Sequence, residues 1–255
     1  MSQIRLSAEA LVYGYSPGKG LSEPLDICCR AGEITAVLGV NGRGKTTLIH
    51  TLLGRLPPLS GQIRRHGRIG FVPQLFTPPF SYSVLDMVLM GRAAHVGLFS
   101  MPSARDVAIA EEALATLGIS ALAEKAFGRL SGGQRQLALI ARALASQCHT
   151  LILDEPMAAL DLKNQAVVLR LLKHLATARG LSILLTTHDP AHALTIAQQA
   201  LLLMAERQYL YGRCDAVLNE ENLSRLYGIA VKQATVAALR PYRTLVPIFT
   251  PSEEP

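Results

Sequence analysis

The sequence predicts an α/β protein whose core is a mostly parallel β-sheet. From Ser131 onward, apolar strand-like segments alternate with helical ones, which is the order expected of parallel strands joined by helices. An apolar segment, "EITAVLG", runs directly into a glycine-rich loop and a helix. The chain has 255 residues, of which 49% are hydrophobic, so it can cover such a sheet on both faces.

The elements of the first third are short. Two strands, "IRLSAEALVYGY" and "PLDICCR", are separated by the turn-forming "SPGKG". The buried strand "EITAVLG" is followed by a helix predicted over residues 45–55, and a further strand, "RIGFVPQ", covers residues 68–74.

Residues 75–127 are predicted to form a helical insert, with Ser103 as the N-cap of one helix. Three apolar strands follow, "TLILD", "LSILLTT" and "QALLLM", and then an edge strand, "QYLYGR", and a short amphipathic helix, "NEENLSRLYG". The tail over 240–255 is rich in proline, so we expect it to be loosely ordered, without a regular element.

Composition excludes several classes of protein. No apolar stretch approaches the roughly 18 residues of a membrane-spanning helix, and the N-terminus lacks a signal-peptide pattern, which predicts a soluble, cytoplasmic chain. The net charge of +6 suits nucleic acid, anionic lipid or a phosphate ligand. Arg64, Arg65 and Arg68 lie together without interleaved aromatics, which favours a solvated basic face and no nucleic-acid partner.

The four cysteines indicate reduced thiols. Cys28, Cys29, Cys148 and Cys214 have no CxxC spacing, and two adjacent cysteines could join only in a strained ring. A metal site built from them is not expected, because no histidine or cysteine lies nearby at ligand spacing.

The strongest motif is "GVNGRGKT", which matches the phosphate loop GxxxxGK[ST] between a buried strand and a helix. Its backbone N–H groups can converge on phosphate oxygens, Lys45 brings positive charge to the outer phosphates, and the Thr46 hydroxyl can hold Mg²⁺. The predicted phosphate-binding residues are Gly39, Val40, Asn41, Gly42, Arg43, Gly44, Lys45 and Thr46.

Two carboxylates end the strand "TLILD". In an open parallel sheet, ligands bind at the carboxyl ends of the strands, so Asp154 is predicted to reach Mg²⁺ and Glu155 to polarise the attacking water. The alternative is that these acids only favour a helix N-terminus. Gln74 and His188 also end predicted strands; the first could bind Mg²⁺ or the water, and the second a γ-phosphate oxygen.

A second phosphate socket is indicated by "LSGGQRQ". A helix that starts at Ser131 presents unsatisfied N–H groups, and Gly132 and Gly133 allow a phosphate to approach the backbone. The first socket already has its own set of ligands, and a long helical insert precedes Ser131. Two half-sites on one chain therefore suggest a head-to-tail pair, in which each subunit completes the nucleotide site of the other.

Five segments resemble, in order and spacing, the motifs of the nucleotide-binding subunits of ABC transporters, over residues 3–230. They are "GVNGRGKTT", "VPQ", "LSGGQRQ", "LILDEPMAALD" and "TTHD". The resemblance implies ATP and Mg²⁺ as cofactors and an ATP-sandwich homodimer. It adds Thr47 to the phosphate loop and implies that Ser131, Gly132, Gly133 and Gln134 complete the opposite site. Tyr15 falls where the family stacks an aromatic on adenine, with Tyr13 as a rival, and Asp161 matches the loop that links the two sites.

The same resemblance gives the domain organisation. It implies a P-loop ATPase domain over 1–230, in which 1–74 and 150–230 form the core with a small antiparallel β part, 75–149 a mainly helical subdomain, and 231–255 a C-terminal extension. Val40, Arg43 and Met157 stand where the family usually has Pro, Ser and Thr. The segment from Gly61 to Gly70 is shorter than in most relatives, which leaves the outline of the antiparallel part open.

The segment from Ile69 to Phe99 resembles importers of metal chelates, transition metals or oxyanions such as molybdate. That implies integral membrane permease subunits as partners, a periplasmic or extracellular solute-binding protein acting indirectly, and a peripheral position on the cytoplasmic face of the membrane. Part of "SVLDMVLMGR" is expected either to receive a helix of the membrane partner or to be helix core. The other hypotheses are an exporter ATPase, a cytosolic ABC ATPase acting on DNA or ribosomes, and a non-catalytic scaffold.

Overall fold

The strands and helices follow one another along the chain much as the apolar patterning predicts. The structure is a computed structural model that describes residues 3–97, 100–237 and 242–249. Its strands, in chain order, are β1 (Ile4–Val12), β2 (Leu25–Arg30), β3 (Ile34–Leu38), β4 (Ser60–Arg65), β5 (Ile69–Val72), β6 (Thr150–Leu153), β7 (Ser182–Thr187), β8 (Gln199–Leu203), β9 (Tyr209–Arg213), β10 (Val231–Val236) and β11 (Tyr242–Pro247).

One helix lies in the first quarter of the chain, and the others follow from residue 84 onward. They are α1 (Lys45–Leu53), α2 (Val84–Leu89), α3 (Ala104–Thr116), α4 (Gly132–Ala145), α5 (Leu162–Arg179), α6 (Pro190–Ile196), α7 (Cys214–Val217) and α8 (Glu220–Tyr227). Backbone contacts group the chain into two compact units, the first of residues 1–6, 29–33 and 64–185, and the second of residues 7–28, 34–63 and 186–255.

In the first unit, β6 pairs in parallel with β5 on one side and with β7 on the other. Every residue of β6 and of β7 is buried, as a parallel sheet with both faces covered requires. The predicted helical insert contains α2 and α3, which pack against each other and against α4. Ser103 caps α3 as predicted.

In the second unit, the fully buried strand β3 pairs in parallel with β8, and β9 pairs antiparallel with β8 as the predicted edge strand. The larger parts of β1, β2 and β4 belong to a small three-stranded sheet in the order β2-β1-β4. The sequence did not predict β4, since five of its six residues are exposed polar or charged side chains or glycine and give no apolar alternation. The predicted α/β fold class is confirmed.

The proline-rich tail was predicted wrongly to lack a regular element. Residues 242–247 form β11, which pairs antiparallel with β10 from Val236 opposite Tyr242 to Val231 opposite Pro247. Pro247 is the last residue of its strand, where a missing N–H is tolerated. Leu245 is buried, so a tertiary contact decides the conformation. The rest of that predicted tail, residues 240–241 and 250–255, lies outside the described residues.

Gly61 lies where β4 crosses closest to β1. Its φ is +84°, and a Cβ built on it would overlap the carbonyl group of Ala10. Gly61→Ala should therefore combine backbone strain with a clash against backbone that cannot move aside. Gly18 has a similar φ of +77° but no atom within 4 Å of such a Cβ, so Gly18→Ala isolates the strain, worth about 1–2 kcal/mol.

We expect urea unfolding to show a loss of stability for Gly61→Ala that is at least about twice that of Gly18→Ala, because overpacking against fixed atoms typically costs a further 1–3 kcal/mol or so. Equal losses for the two variants would contradict the close approach of β4 to β1.

Candidate functional site

The phosphate loop joins the end of β3 to the start of α1. Gly42 and Gly44 have φ of +81° and +86°, left-handed values that a side chain would strain. Lys45 is buried and folds back over the loop, donating from Nζ to the carbonyl oxygen of Gly39 at 2.8 Å and to that of Val40 at 3.5 Å. The loop thus closes around the ammonium group of Lys45 through contacts within the chain alone.

The start of α1 suits an anion. Gly44 is its N-cap and makes no side-chain capping bond, and the first turn contains no acidic residue. The positive end of the helix dipole is therefore not compensated locally, which is the condition under which a helix N-terminus binds phosphate.

The two candidate adenine-binding tyrosines differ in exposure. Tyr13 is fully buried, and its ring edge lies 3.3 Å from where a Cβ on Gly44 would stand, so it packs beneath the loop. Burial raises the pKa of Tyr13 above its usual range. Tyr15 is 72% exposed, and its hydroxyl accepts a hydrogen bond from Thr47 at 3.3 Å. Of the two rings, only that of Tyr15 is free to stack on a base.

Asp154 and Glu155 follow the buried strand β6 directly. Asp154 is 4% exposed, and its backbone N–H donates to the carbonyl of Val72 at 2.9 Å, which fixes the carboxylate at the end of the sheet. Glu155 has a φ of +43°. A left-handed glutamate is uncommon and costs backbone energy, and such strain is concentrated at functional sites because it fixes the direction of the side chain.

Gln74 lies two residues beyond β5 and is exposed. Two residues further along the chain is Phe76. The guanidinium of Arg142 lies over its ring, 4.4 Å from the ring centroid. Arg142 belongs to α4, so the segment after Gln74 is attached to this helix.

His188 is exposed and follows β7 directly, and its turn is held by residues that the sequence did not indicate. Asp189 caps α6 by accepting from the N–H of Ala191 at 2.8 Å. The Thr187 hydroxyl bonds to the N–H of Asp189 at 3.1 Å and lies 3.2 Å from Nδ1 of His192. Burial lowers the pKa of His192, although the carboxylate of Asp189, 3.6 Å from Nε2, opposes that shift.

A fourth residue fixes the carbonyl of His188. The Tyr227 hydroxyl donates to it at 2.8 Å, and burial, followed by the negative charge of Asp189, raises the pKa of Tyr227 above its usual range. Thr187, Asp189 and His192 lie close to His188 in the sequence, whereas Tyr227 lies 39 residues away, so no local pattern could have identified Tyr227.

The predicted second socket is the start of α4, and we call residues 131–134 the signature turn. Ser131 is the N-cap and forms a capping box with Gln134, in which Ser131 Oγ accepts from the Gln134 N–H at 3.3 Å and Gln134 Oε1 from the Ser131 N–H at 3.2 Å. The capping boxes of α2 and α3 instead contain an acid, Asp86 and Asp106. Only at α4, among these three helices, does the first turn leave the dipole uncompensated.

The signature turn is packed against the start of α5. A Cβ on Gly133 would lie 2.6 Å from Oδ1 of Asn164, so a larger residue there would displace the Asn164 side chain. Asp161 caps α5 by accepting from the N–H of Asn164 at 2.8 Å. Asp161 and the signature turn therefore share one contact residue, Asn164, which no sequence motif had indicated.

The described residues contain no group of three or more His, Cys, Asp or Glu side chains that could hold a metal ion. All four cysteines are free thiols, three of them buried. The sequence prediction that the cysteines are reduced agrees with this arrangement.

Comparison with known proteins identifies the family. A family model described as ABC transporter matches residues 22–158. A molybdate import ATP-binding protein, MolC of Haemophilus influenzae, is 46% identical over 222 residues, which are 87% of each chain. A Helicobacter pylori ATP-binding protein named for iron chelatin transport is 36% identical over 236 residues, 87% of this chain and 92% of that one.

The chain belongs to the ABC transporter family.

A solved ABC transporter described as being of the metal-chelate type, in an inward-facing conformation, has the same fold as this ABC ATPase. It superposes with a TM-score of 0.93 at 42% sequence identity, covering 97% of this chain and 98% of that chain. The predicted resemblance to ABC nucleotide-binding subunits is confirmed, and the chain is an ATPase domain of that family. Among the described residues, no helix has the length and hydropathy needed to cross a lipid bilayer.

The departures of this ABC ATPase from the usual motifs have limited consequences. Met157 is buried, at 2% exposure, and belongs to the core. Val40 contributes its carbonyl, which accepts from Lys45 and from the N–H of Arg43 at 3.3 Å. Neither position requires the side chain that is usual in the family.

The exposure of the two tyrosines leads to a matched test. Tyr15→Ala should weaken ATP binding about tenfold, because stacking of a base on an aromatic ring contributes roughly 1–3 kcal/mol. Tyr13→Phe should leave ATP affinity unchanged and stability equal or higher, since among the described residues the Tyr13 hydroxyl is buried without a hydrogen-bond partner. Calorimetric titration with ATP measures the first effect and thermal unfolding the second; the reverse pattern would assign the adenine to Tyr13.

Proposed function

We propose that the chain is the ATP-hydrolysing subunit of an importer that takes up a metal chelate, a transition metal or an oxyanion such as molybdate. The observation that carries this proposal is the agreement, over nearly the whole chain, with relatives named for molybdate import and iron chelatin transport and with a solved transporter of the metal-chelate type. The solute would be selected by other subunits, which this chain serves from the cytoplasmic face of the membrane.

The chemistry follows from the residue types. Lys45 would exchange the carbonyls of its own loop for the outer phosphates of ATP, and the exposed Tyr15 would stack on adenine. Glu155, whose backbone has a strained, left-handed conformation at the end of β6, would act as the general base toward water. The imidazole of His188, whose carbonyl is held by Tyr227, would hydrogen-bond the γ-phosphate.

Mg²⁺ fits the donors that this chain offers. Thr46, Gln74 and the buried carboxylate of Asp154 provide hydroxyl, amide and carboxylate oxygens, the hard ligands that the ion prefers. Mg²⁺ is usually held by one or two carboxylates together with substrate phosphates, so this small donor set is sufficient. When bound, the ion would neutralise charge on the phosphates during transfer.

We further propose that two copies act head to tail. The signature turn has an uncompensated positive end and a close-packed glycine, but its chain carries a complete phosphate loop elsewhere. Ser131, Gly132, Gly133 and Gln134 would therefore complete the site of the partner copy, and Asp161 would pass changes between sites through Asn164.

A groove in the helical part suits a membrane partner. It has a volume of about 490 Å³ and is mainly apolar, with one acidic residue on its wall. We call it the docking groove, and it is lined by Tyr82, Asp86, Leu89, Met90, Ala93, Val96, Ser100 and Pro102. We propose that it receives a short helix of the permease subunit, which would place apolar side chains in the groove and a basic one beside Asp86.

Glu155→Gln tests the assignment of the base. The variant should bind ATP normally, hydrolyse it about 10² to 10⁴ times more slowly, and accumulate as an ATP-bound dimer. Phosphate release and size-exclusion chromatography with ATP and Mg²⁺ measure the two effects. Glu111→Gln makes the same chemical change at an exposed position of α3 and should behave as wild type. Wild-type turnover in Glu155→Gln would remove the proposed base.

Ser131→Arg tests the role of the signature turn. A long cation at the N-cap should leave nucleotide binding by the monomer intact but prevent formation of the ATP-bound dimer in the Glu155→Gln background. Ser131→Ala removes the same capping hydroxyl, at a cost of about 1 kcal/mol in stability, but adds no bulk, so it should still dimerise. Hydrolysis by the wild-type chain with no dependence on protein concentration would argue against a site shared between two copies.

A further inference from the structure

One wall of the docking groove is fastened to the far end of the helix that carries the signature turn. Met90, Ala93 and Val96 line the groove, and the turn that contains them directly follows α2. Between Met90 and Ala93, Gly91 lies so close to α4 that a Cβ would overlap the carbonyl oxygen of Arg142. The wall therefore rests on the last turn of α4 with no intervening side chain.

Arg92 adds directional bonds to this contact. Its Nη1 donates to the carbonyl oxygen of Ala145 at 2.9 Å and to Oε1 of Gln147 at 3.0 Å. Nε2 of His95 lies 3.2 Å from the carbonyl oxygen of Ser146. The last carbonyls of a helix lack intrahelical partners and carry its negative end, so a guanidinium is well suited to hold them.

The charge of Arg92 is balanced by an acid on a third element. Arg92 is 4% exposed, and its Nε lies 2.9 Å from Oδ1 of Asp106, at the start of α3. The Ser103 hydroxyl, and after it Arg92, lower the pKa of Asp106 to about 2, so this carboxylate is ionised at physiological pH. One planar group thus joins the groove wall, the start of α3 and the end of α4.

A buried ion pair of this kind adds little to stability compared with apolar packing, because removing both charges from water offsets their attraction. Its value lies in fixed geometry, since the guanidinium presents its N–H groups in a rigid fork. A lysine would keep the charge beside Asp106 but could not bond both the Ala145 carbonyl at the end of α4 and the Gln147 side chain just beyond it in the same arrangement.

The other end of α4 is the signature turn. The helix has 14 residues and a length of about 20 Å, so it can carry a displacement of one end to the other. Arg142, on the same helix, stacks on Phe76, two residues after Gln74, and Phe76 in turn meets the ring of Phe127 edge-on at 6.3 Å between centroids. Movement of α4 would therefore displace both the segment after Gln74 and the signature turn.

We propose that Arg92 is a positioning residue that couples the docking groove to α4, so that movement of the partner's helix in the groove shifts the signature turn. This inference rests on the proposed function, because it needs a membrane partner in the groove. Arg92 does not touch nucleotide in this proposal; it acts through the end of α4. The isolated chain needs no such coupling, since the start of α4 is held by its own capping box and by the contact of Gly133 with Asn164.

The test uses the complex purified with its membrane subunits in lipid vesicles. The measured quantity is the stimulation of ATP hydrolysis, meaning the rate in the complex divided by the rate of the isolated chain. Arg92→Lys should reduce this stimulation about tenfold, the effect expected from one lost charge-assisted hydrogen bond. It should leave the basal rate, the affinity for ATP and co-purification with the membrane subunits unchanged.

Two control variants separate coupling from folding. Arg179→Lys makes the same chemical change at the end of α5, where Nη2 of Arg179 donates to the hydroxyl of Thr116. This variant should retain full stimulation. Leu172→Ala removes a fully buried side chain of α5 and should lower the melting temperature while stimulation, measured well below that temperature, is retained. A merely structural role for Arg92 would make the loss of stimulation follow the loss of thermal stability across all variants.

Gln147→Ala should fold even if Arg92→Lys does not, because Gln147 is exposed. It removes one of the two acceptors of Arg92 Nη1, the one just beyond the end of α4, and should reduce stimulation in the same direction, by about threefold, as expected for one hydrogen bond of about 0.5–1 kcal/mol. Full stimulation in Gln147→Ala and Arg92→Lys would overturn the coupling role and leave the proposed function intact. If the wild-type chain neither co-purifies with membrane subunits nor is stimulated by them, the proposed function fails as well.

Discussion

The structure depends on strands that are buried on both faces. All residues of β3, β6 and β7 are inaccessible to solvent, and most are apolar, so charged side chains can appear only where a strand ends. The phosphate loop, the pair Asp154 and Glu155, and His188 each follow one of these strands directly. The need to bury backbone and apolar side chains within the sheet thus confines the chemistry to the loops that leave it.

Helix termini supply the second constraint. The starts of α1 and α4 lack an acid in their first turn, whereas α2 and α3 carry Asp86 and Asp106 in otherwise similar positions. A local carboxylate offsets the positive helix end, and its absence leaves that end available to an external anion. The same four-residue capping arrangement therefore contains an acid at α2 and α3 but leaves the positive helix end uncompensated at α4, and the difference is the charge of the third helical residue.

Much of this could be predicted from the sequence because the signals are local. Buried strands are read from apolar runs, and a phosphate loop from glycines at fixed spacing before a lysine. The errors have a physical cause as well. β4 has no apolar alternation and pairs with β1, far away in the sequence, whereas β11 contains a proline and is specified by pairing with the neighbouring strand β10. Arg92 and Asp106 are equally invisible as a pair, since they are brought together only by the packing of three helical elements.

The sequence by itself determined the fold class and the family and indicated candidate nucleotide-binding residues, because all of these depend on residue type and spacing along the chain. Only the tertiary structure showed that Tyr13 is buried and Tyr15 exposed, since burial beneath the loop depends on what packs from elsewhere. It also decided which residues orient the His188 turn and which group joins the docking groove to α4. The contacts of Tyr227 with the His188 carbonyl and of Arg92 with Ala145 join segments far apart in sequence, and no local pattern encodes them.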